Sequence, residues 1–401
     1  MPKMIMKKTF PLLIVIMMII TLGIGCTPPI ESPDEDEIII ETIETEEPEE
    51  LEEELPEEPP QEEVPGEVLS ETRNFDVAPG DHGYYAVRFL EHMNDILPYR
   101  LPFTTRELES AYWIVETLLD MGFDESLIEM QTFRYDVQTS TWWGDALWAL
   151  EWMEAEGYFD FDGVDRIDYS QNVILTIPGR SERTIVIGAH YDTVASAGMS
   201  DNAAGVALLL ESAYRMMDEN HYYTLQYVFF GAEEVGLIGA FYFADSLADT
   251  EIYNLELVIN ADVIIEGPIF IYATGYVTDL PEWPIVTLWG EEIPRIYENP
   301  MTMEIDDFAN ALAYDGVHLV AIPQAIFSPT DHLAFLQFGV PVVYFYGTYP
   351  PEYPELFVRN ILHTPNDNLD FIMADSPGRI EEGLHTFLRF LDAILMMESM
   401  E

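Results

Sequence analysis

From Asn172 onward, unbroken apolar runs of strand length take turns with stretches of helical spacing. "NVILTIPG" and "TIVIGAH" read as strands, "NAAGVALLLESAYRMM" as a helix and "TLQYVFFGAEE" as a strand. "GLIGAFYFADSL" then reads as a helix and "LELVINADVI" as a strand. Further on, "PVVYFYG" is strand-like, and Arg379–Met397 has the spacing of an amphipathic helix. A strand covered on one face alternates apolar and polar residues; these runs do not, so both faces are buried. The pattern predicts an α/β fold, a three-layer sandwich with a mixed, largely parallel central sheet.

Upstream, Ala86–Ile96 and Thr105–Met121 are predicted helices. The second opens on "TTRELE", with Thr104 at the cap and Glu107 three places later, and stops at Gly122. Four tryptophans, Trp142, Trp143, Trp148 and Trp152, crowd the region 135–170, which reads as an insertion or a lid, or as a second small core.

Charge divides the rest of the chain. The formal net charge is -58, which excludes nucleic acid as a partner because such binding needs a positive surface. The lysines are Lys3, Lys7 and Lys8, and all precede the apolar run Phe10–Gly25 and Cys26. Residues 1–25 therefore read as a signal peptide of the lipoprotein type, with Cys26 as the site of lipidation. Residues 26–73 are rich in glutamate and proline and read as a disordered acidic tether, leaving 74–401 as the folded domain. The expected location is the cell surface, as a secreted lipoprotein held to the membrane by the lipid on Cys26. With the only cysteine so used, disulfides and thiolate metal sites are excluded.

In sheets of this kind ligands sit beyond the carboxyl ends of the strands. His190 and Asp192 follow one predicted strand, Glu233 and Glu234 a second, and Asp262 a third. Asp201 lies in "SDNAAG", in the loop before a helix, and His363 in "LHTPNDN". Any one of these could be a cap or a turn former. Together, His190, Asp201, Glu234, Asp262 and His363 converge on one sheet edge as candidate metal ligands. Carboxylates cannot share a dry cleft without a cation. Two imidazoles and three carboxylates suit zinc, with manganese or cobalt also compatible.

"GAHYDTV", "SDNAAGVALLLE", "FFGAEEVGLIGA", "NADVI" and "HTPNDN" resemble, in order, the motifs of the co-catalytic di-zinc aminopeptidases, metallopeptidase family 28. The resemblance covers about Gln171 to Phe371 and makes 74–401 a metallopeptidase domain. It implies two zinc ions per chain. His190 and Asp262 would hold the first, Glu234 and His363 the second, and Asp201 would bridge them. Asp192 would orient His190, Glu233 would be the general base, and a non-proline cis peptide would follow Asp201. The implied activity is a metal-dependent exopeptidase, an aminopeptidase acting on peptides through a water activated by two metals.

"SPTDHLAFLQFGVP" resembles a further family segment and marks Asp331 and His332 as substrate-pocket candidates, with a helix cap at Asp331 as the other reading. The alternative enzyme is a glutaminyl-peptide cyclotransferase with a single zinc. Those enzymes usually carry tryptophan before the last histidine, where this chain has Leu362. A non-catalytic binding lipoprotein of the same fold would lack a ligand or the base, and neither is missing here.

Overall fold

Three strands end side by side at the place where the sequence puts its carboxylates. They are β3 (Thr184–His190), β4 (Thr224–Phe230) and β5 (Leu255–Ala261), parallel to one another with His190 level with Phe230. A computed structural model describes residues 80–137, 151, 154–155, 165–194, 196–278, 295–349 and 361–398. The signal peptide, Cys26, the acidic tether and the four clustered tryptophans lie outside the described residues.

The sheet has the order β1-β2-β4-β3-β5-β8-β6-β7. β1 (Ile128–Arg134) and β2 (Tyr169–Ile177) form an antiparallel pair, and β2 also runs antiparallel to β4. On the other side β8 (Val342–Thr348) is parallel to β5, β6 (Ile269–Gly275) is antiparallel to β8, and the short β7 (Val320–Ala321) is parallel to β6. The sheet is mixed around a parallel centre, as the sequence pattern predicts.

Helices cover both faces. α1 (Ala86–Ile96), α2 (Thr105–Met121) and α3 (Ala204–Met216) lie on one side, and α4 (Ile238–Ser246) lies on the other. After the short α5 (Asp249–Asn254), α6 (Pro300–Tyr314) joins the first side and the single turn α7 (Leu333–Leu336) the second. α8 (Leu369–Asp375) leads into α9 (Arg379–Leu395), which packs with α1, α3 and α6.

The unbroken apolar run of β3 now has its reason. Ile185, Ile187 and Ala189 point into the core under α3 and α9, while Val186 points to the core under α4. Successive side chains of a strand alternate faces, so a strand buried on both sides has no position left for a polar residue. Gly188 lies against the Phe230 ring, where a Cβ would collide. Thr104 caps α2 by accepting from Glu107 N–H, and Gly122 ends it in the left-handed region at φ +105°.

Candidate metal centre

β3 delivers His190 as its last residue, the turn after β4 carries Glu233 and Glu234, and Asp262 follows β5. Asp201 lies in a tight irregular turn, Met199–Ala203, that leads into α3, and the Asp201–Asn202 peptide is cis. His363 arrives from the loop after β8, with φ +57°.

Asp201 faces two ways. Its Oδ1 is 3.1 Å from His190 Nε2, which is also 3.3 Å from Asp262 Oδ1. Its Oδ2 is 3.0 Å from His363 Nε2, which is 3.2 Å from Glu234 Oε2. Zinc bonds of about 2.0–2.1 Å in a tetrahedron separate neighbouring ligand atoms by about 3.3 Å. The five residues singled out from sequence thus come together, in two groups sharing one carboxylate. Glu233 also stands within ligand reach of His190 and Asp262. His190 is 1% exposed, whereas the His363 side chain is 27% exposed and marks the open side of the cluster.

The charge balance calls for a cation. Asp192, Asp201, Glu233, Glu234, Asp262, Asp331 and Asp367 all bury carboxyl groups here. Among the described residues, Arg100, His190 and His363 are the cationic groups that face them. Seven buried carboxyl groups against three cations must either take up protons or be balanced by a metal ion, and burial pushes Asp367 up to about 8 and Glu234 up to about 7. Burial alone would discharge His190, but Glu233 and Asp262 outweigh it and hold the ring well above the ordinary imidazole range. Likewise Glu234 and Asp201 overcome the burial of His363 and raise it well above that range. Asp201 is held well below the usual carboxylate range: burial opposes this, but hydrogen bonds from the two imidazoles prevail. A donor set of imidazole and carboxylate without thiol fits zinc.

The supporting contacts are specific. His190 Nδ1 lies 3.2 Å from the backbone oxygen of Asp192 and 3.6 Å from its Oδ1. The Asp192 carboxylate accepts from the N–H of Glu233 at 3.0 Å and of Glu234 at 3.1 Å. Asp192 therefore braces the Glu233–Glu234 turn as well as the histidine. Asp367 accepts from Ser200 N–H at 2.6 Å and Asp201 N–H at 3.1 Å, fixing the turn that carries Asp201. Asn202 reaches back to Ala261 O at 2.9 Å, tying that turn to the end of β5.

Arg100 is fully buried and spends its guanidinium on backbone carbonyls. It donates to Tyr191 O at 2.5 Å, Leu97 O at 2.9 Å, Ala197 O at 3.1 Å and Gly198 O at 2.9 Å. It clamps the chain after His190 to the chain before Asp201. Burial draws its pKa down to about 10, with Asp367 and Asp192 opposing, so it stays charged at neutral pH. Sequence reasoning missed Arg100 and Asp367. Asp367 stood inside a quoted motif; Arg100 had no periodic or motif signal.

Asp331 is 0% exposed, and neither carboxyl oxygen has a hydrogen-bond partner among the described residues. It does not act as a cap: the N-cap of α7 is His332, with no side-chain cap bond. Burial pushes the Asp331 carboxyl well above its usual range; His190 opposes this, and Asp262 and Asp192 add to it. His332 is also fully buried. Its Nε2 lies 2.8 Å from Ile326 O, its ring stacks on Tyr344, and burial lowers its pKa to about 4, leaving it neutral.

The model of peptidase family M28 matches residues 172–388. Aminopeptidase YwaD of Bacillus subtilis is 28% identical over 193 residues, 48% of this chain and 37% of that protein. The probable lipoprotein aminopeptidase LpqL of Mycobacterium tuberculosis is 30% identical over 171 residues, 38% of this chain and 33% of that protein. The matched region thus spans well under half the length of these two relatives. In structure, BSAP, a zinc aminopeptidase from Bacillus subtilis, superposes with TM-score 0.56 at 16% identity, covering 81% of this chain and 98% of that one. A glutaminyl cyclase from an Acidobacteriales bacterium superposes with TM-score 0.51 at 18% identity, covering 80% and 97%. These superpositions share the α/β fold described above.

Proposed function

We propose a function from the premise that the chain belongs to peptidase family M28: it is a zinc-dependent aminopeptidase that removes N-terminal residues from peptides. His190 and Asp262 would hold one ion, Glu234 and His363 the other, and Asp201 would reach both. The observation that carries this reading is the placement of the two Asp201 oxygens, each against a different imidazole. When bound, the two ions would supply Lewis acidity to the scissile carbonyl and acidify water in the cleft.

The side chains do the rest. Glu233 takes the proton of the attacking water and returns it to the leaving amine. Burial pushes its carboxyl well above the usual range; His190 opposes this, and Glu234 and Asp331 add to it. Asp331 and His332 remain the pocket candidates, and the unpartnered Asp331 carboxyl suits a cationic substrate amine.

The glutaminyl cyclotransferase reading shares the fold but calls for one ion, which the paired imidazoles disfavour. Purified domain, stripped and reloaded with zinc, separates the two on a panel of aminoacyl amides and N-terminal glutaminyl peptides. The expected result is about two zinc ions per chain and release of free amino acid. One zinc with release of pyroglutamate would overturn it.

The domain boundaries 1–25, 26–73 and 74–401 and the lipid on Cys26 belong to the same proposal. Among the described residues no helix is long and apolar enough to cross a membrane. The relative LpqL carries the description of a probable lipoprotein. Cys26→Ser should move the protein from the membrane fraction to the soluble fraction of expressing cells; unchanged partitioning would count against the anchor.

A further inference from the structure

Glu107 occupies the third position of α2, where the sequence suggests a capping box. Its carboxylate does something else. It is fully buried, and Oε1 accepts from Ala232 N–H at 3.0 Å and from the Ser170 hydroxyl at 2.7 Å. Oε2 accepts from Phe103 N–H at 2.6 Å. Ala232 and Phe103 have φ +54° and +56°, a region that costs a side-chain-bearing residue about 1 kcal/mol or more.

Ala232 is the residue before Glu233. Three successive N–H groups therefore each meet a carboxyl oxygen: Ala232 meets Glu107, and Glu233 and Glu234 meet Asp192. A run of successive N–H groups is a natural cradle for anions. Asp192 fixes two of the three, and Ile238 N–H holds Ala232 O at 3.1 Å, but the N–H at the left-handed turn itself is held by Glu107, and that turn sets the direction in which Glu233 leaves the backbone. One oxygen serves the start of the helix, at Phe103 N–H, but the bond to Ala232 serves the turn before Glu233 and does nothing for the helix.

We propose that Glu107 is a positioning residue for Glu233, holding the left-handed turn at Ala232 that aims the base at the metal cluster. This rests on the reading of Glu233 as the base. Glutamine at 107 must present its NH₂ to one of the two left-handed N–H groups, donor against donor. Glycine at 232 adopts the turn with no Cβ penalty, and so should make the support dispensable.

The test compares zinc-loaded wild type, Glu107→Gln, Ala232→Gly and the double variant. Readouts are kcat and KM on an aminoacyl amide, zinc content, thermal melts, and hydrogen exchange of the amides 232–234. For Glu107→Gln we expect kcat to fall about 10- to 100-fold with KM changed less than about threefold, the signature of a misaimed group. The 232–234 amides should exchange faster. In the Ala232→Gly background the same change should alter kcat less than about threefold. An unchanged kcat, a loss without faster exchange at 232–234, or a loss that Ala232→Gly does not rescue would each overturn the proposal. So would variants that both lose the cooperative melt, since Glu107 would then serve folding only. Should the wild type release no amino acid, the aminopeptidase reading fails by itself, and exchange at 232–234 decides the role of Glu107.

Discussion

Glu233→Gln is expected to lower kcat on an aminoacyl amide by about a thousandfold, within the range that loss of a general base produces. The amide has nearly the shape of the carboxylate but cannot take up a proton. The Glu233 N–H is held by Asp192 independently of its side chain, so the turn should keep its form. Zinc content should stay at the wild-type level, and KM should change little. The melting temperature should hold or rise, because the neutral amide removes a buried negative group crowded by Glu234, Asp331 and Asp262. The zinc measurement matters because Glu233 also stands near His190 and Asp262. A variant that lost zinc would show Glu233 to be a ligand, and one that cleaved as fast as wild type would place the base elsewhere.

Asp201→Asn should do more damage. Asparagine keeps the shape but offers one neutral acceptor oxygen, with an NH₂ facing the other imidazole. Whichever way the amide turns, either His190 or His363 meets a donor where Asp201 supplied an acceptor. The variant should retain at most one zinc per chain and lose more than about a thousandfold in kcat, since the Lewis acidity that two bound ions would supply is then incomplete. A ligand present at a thousand times its Kd stabilises the folded state by about 4 kcal/mol. Chelation of the wild type, and the Asn variant in zinc, should therefore both melt earlier than the loaded wild type. Two zinc ions retained by Asp201→Asn, measured by elemental analysis, would rule out the bridge.

Much of this was legible in the sequence, for identifiable reasons. Between Thr184 and His190 the β3 run "TIVIGAH" has no polar residue because both its faces are covered, so the sheet announces itself as an apolar block. His190 and Asp262 stand out because they interrupt such blocks at one end, and parallel strands put those ends together. What stayed hidden depends on contacts distant in sequence. Nothing in the local pattern around Arg100 says that its guanidinium will meet carbonyls at 191, 197 and 198. Glu107 has the spacing of a capping box, and only the approach of the β4 turn turns its carboxyl away from the helix. The antiparallel outer strands β1 and β6 escaped notice for the same reason: pairing partners are set by topology, while periodicity reports only which faces are covered.

The groups expected to hold metal are delivered by the ends of separate strands and by loops drawn from across the domain. No short stretch contains them, and the one cysteine, Cys26, lies far from all of them in the sequence. An unfolded thread of this chain therefore offers zinc no preformed site. Capacity for metal arises all at once, when the sheet closes, and the protein would be loaded in whatever compartment it folds rather than where it is made.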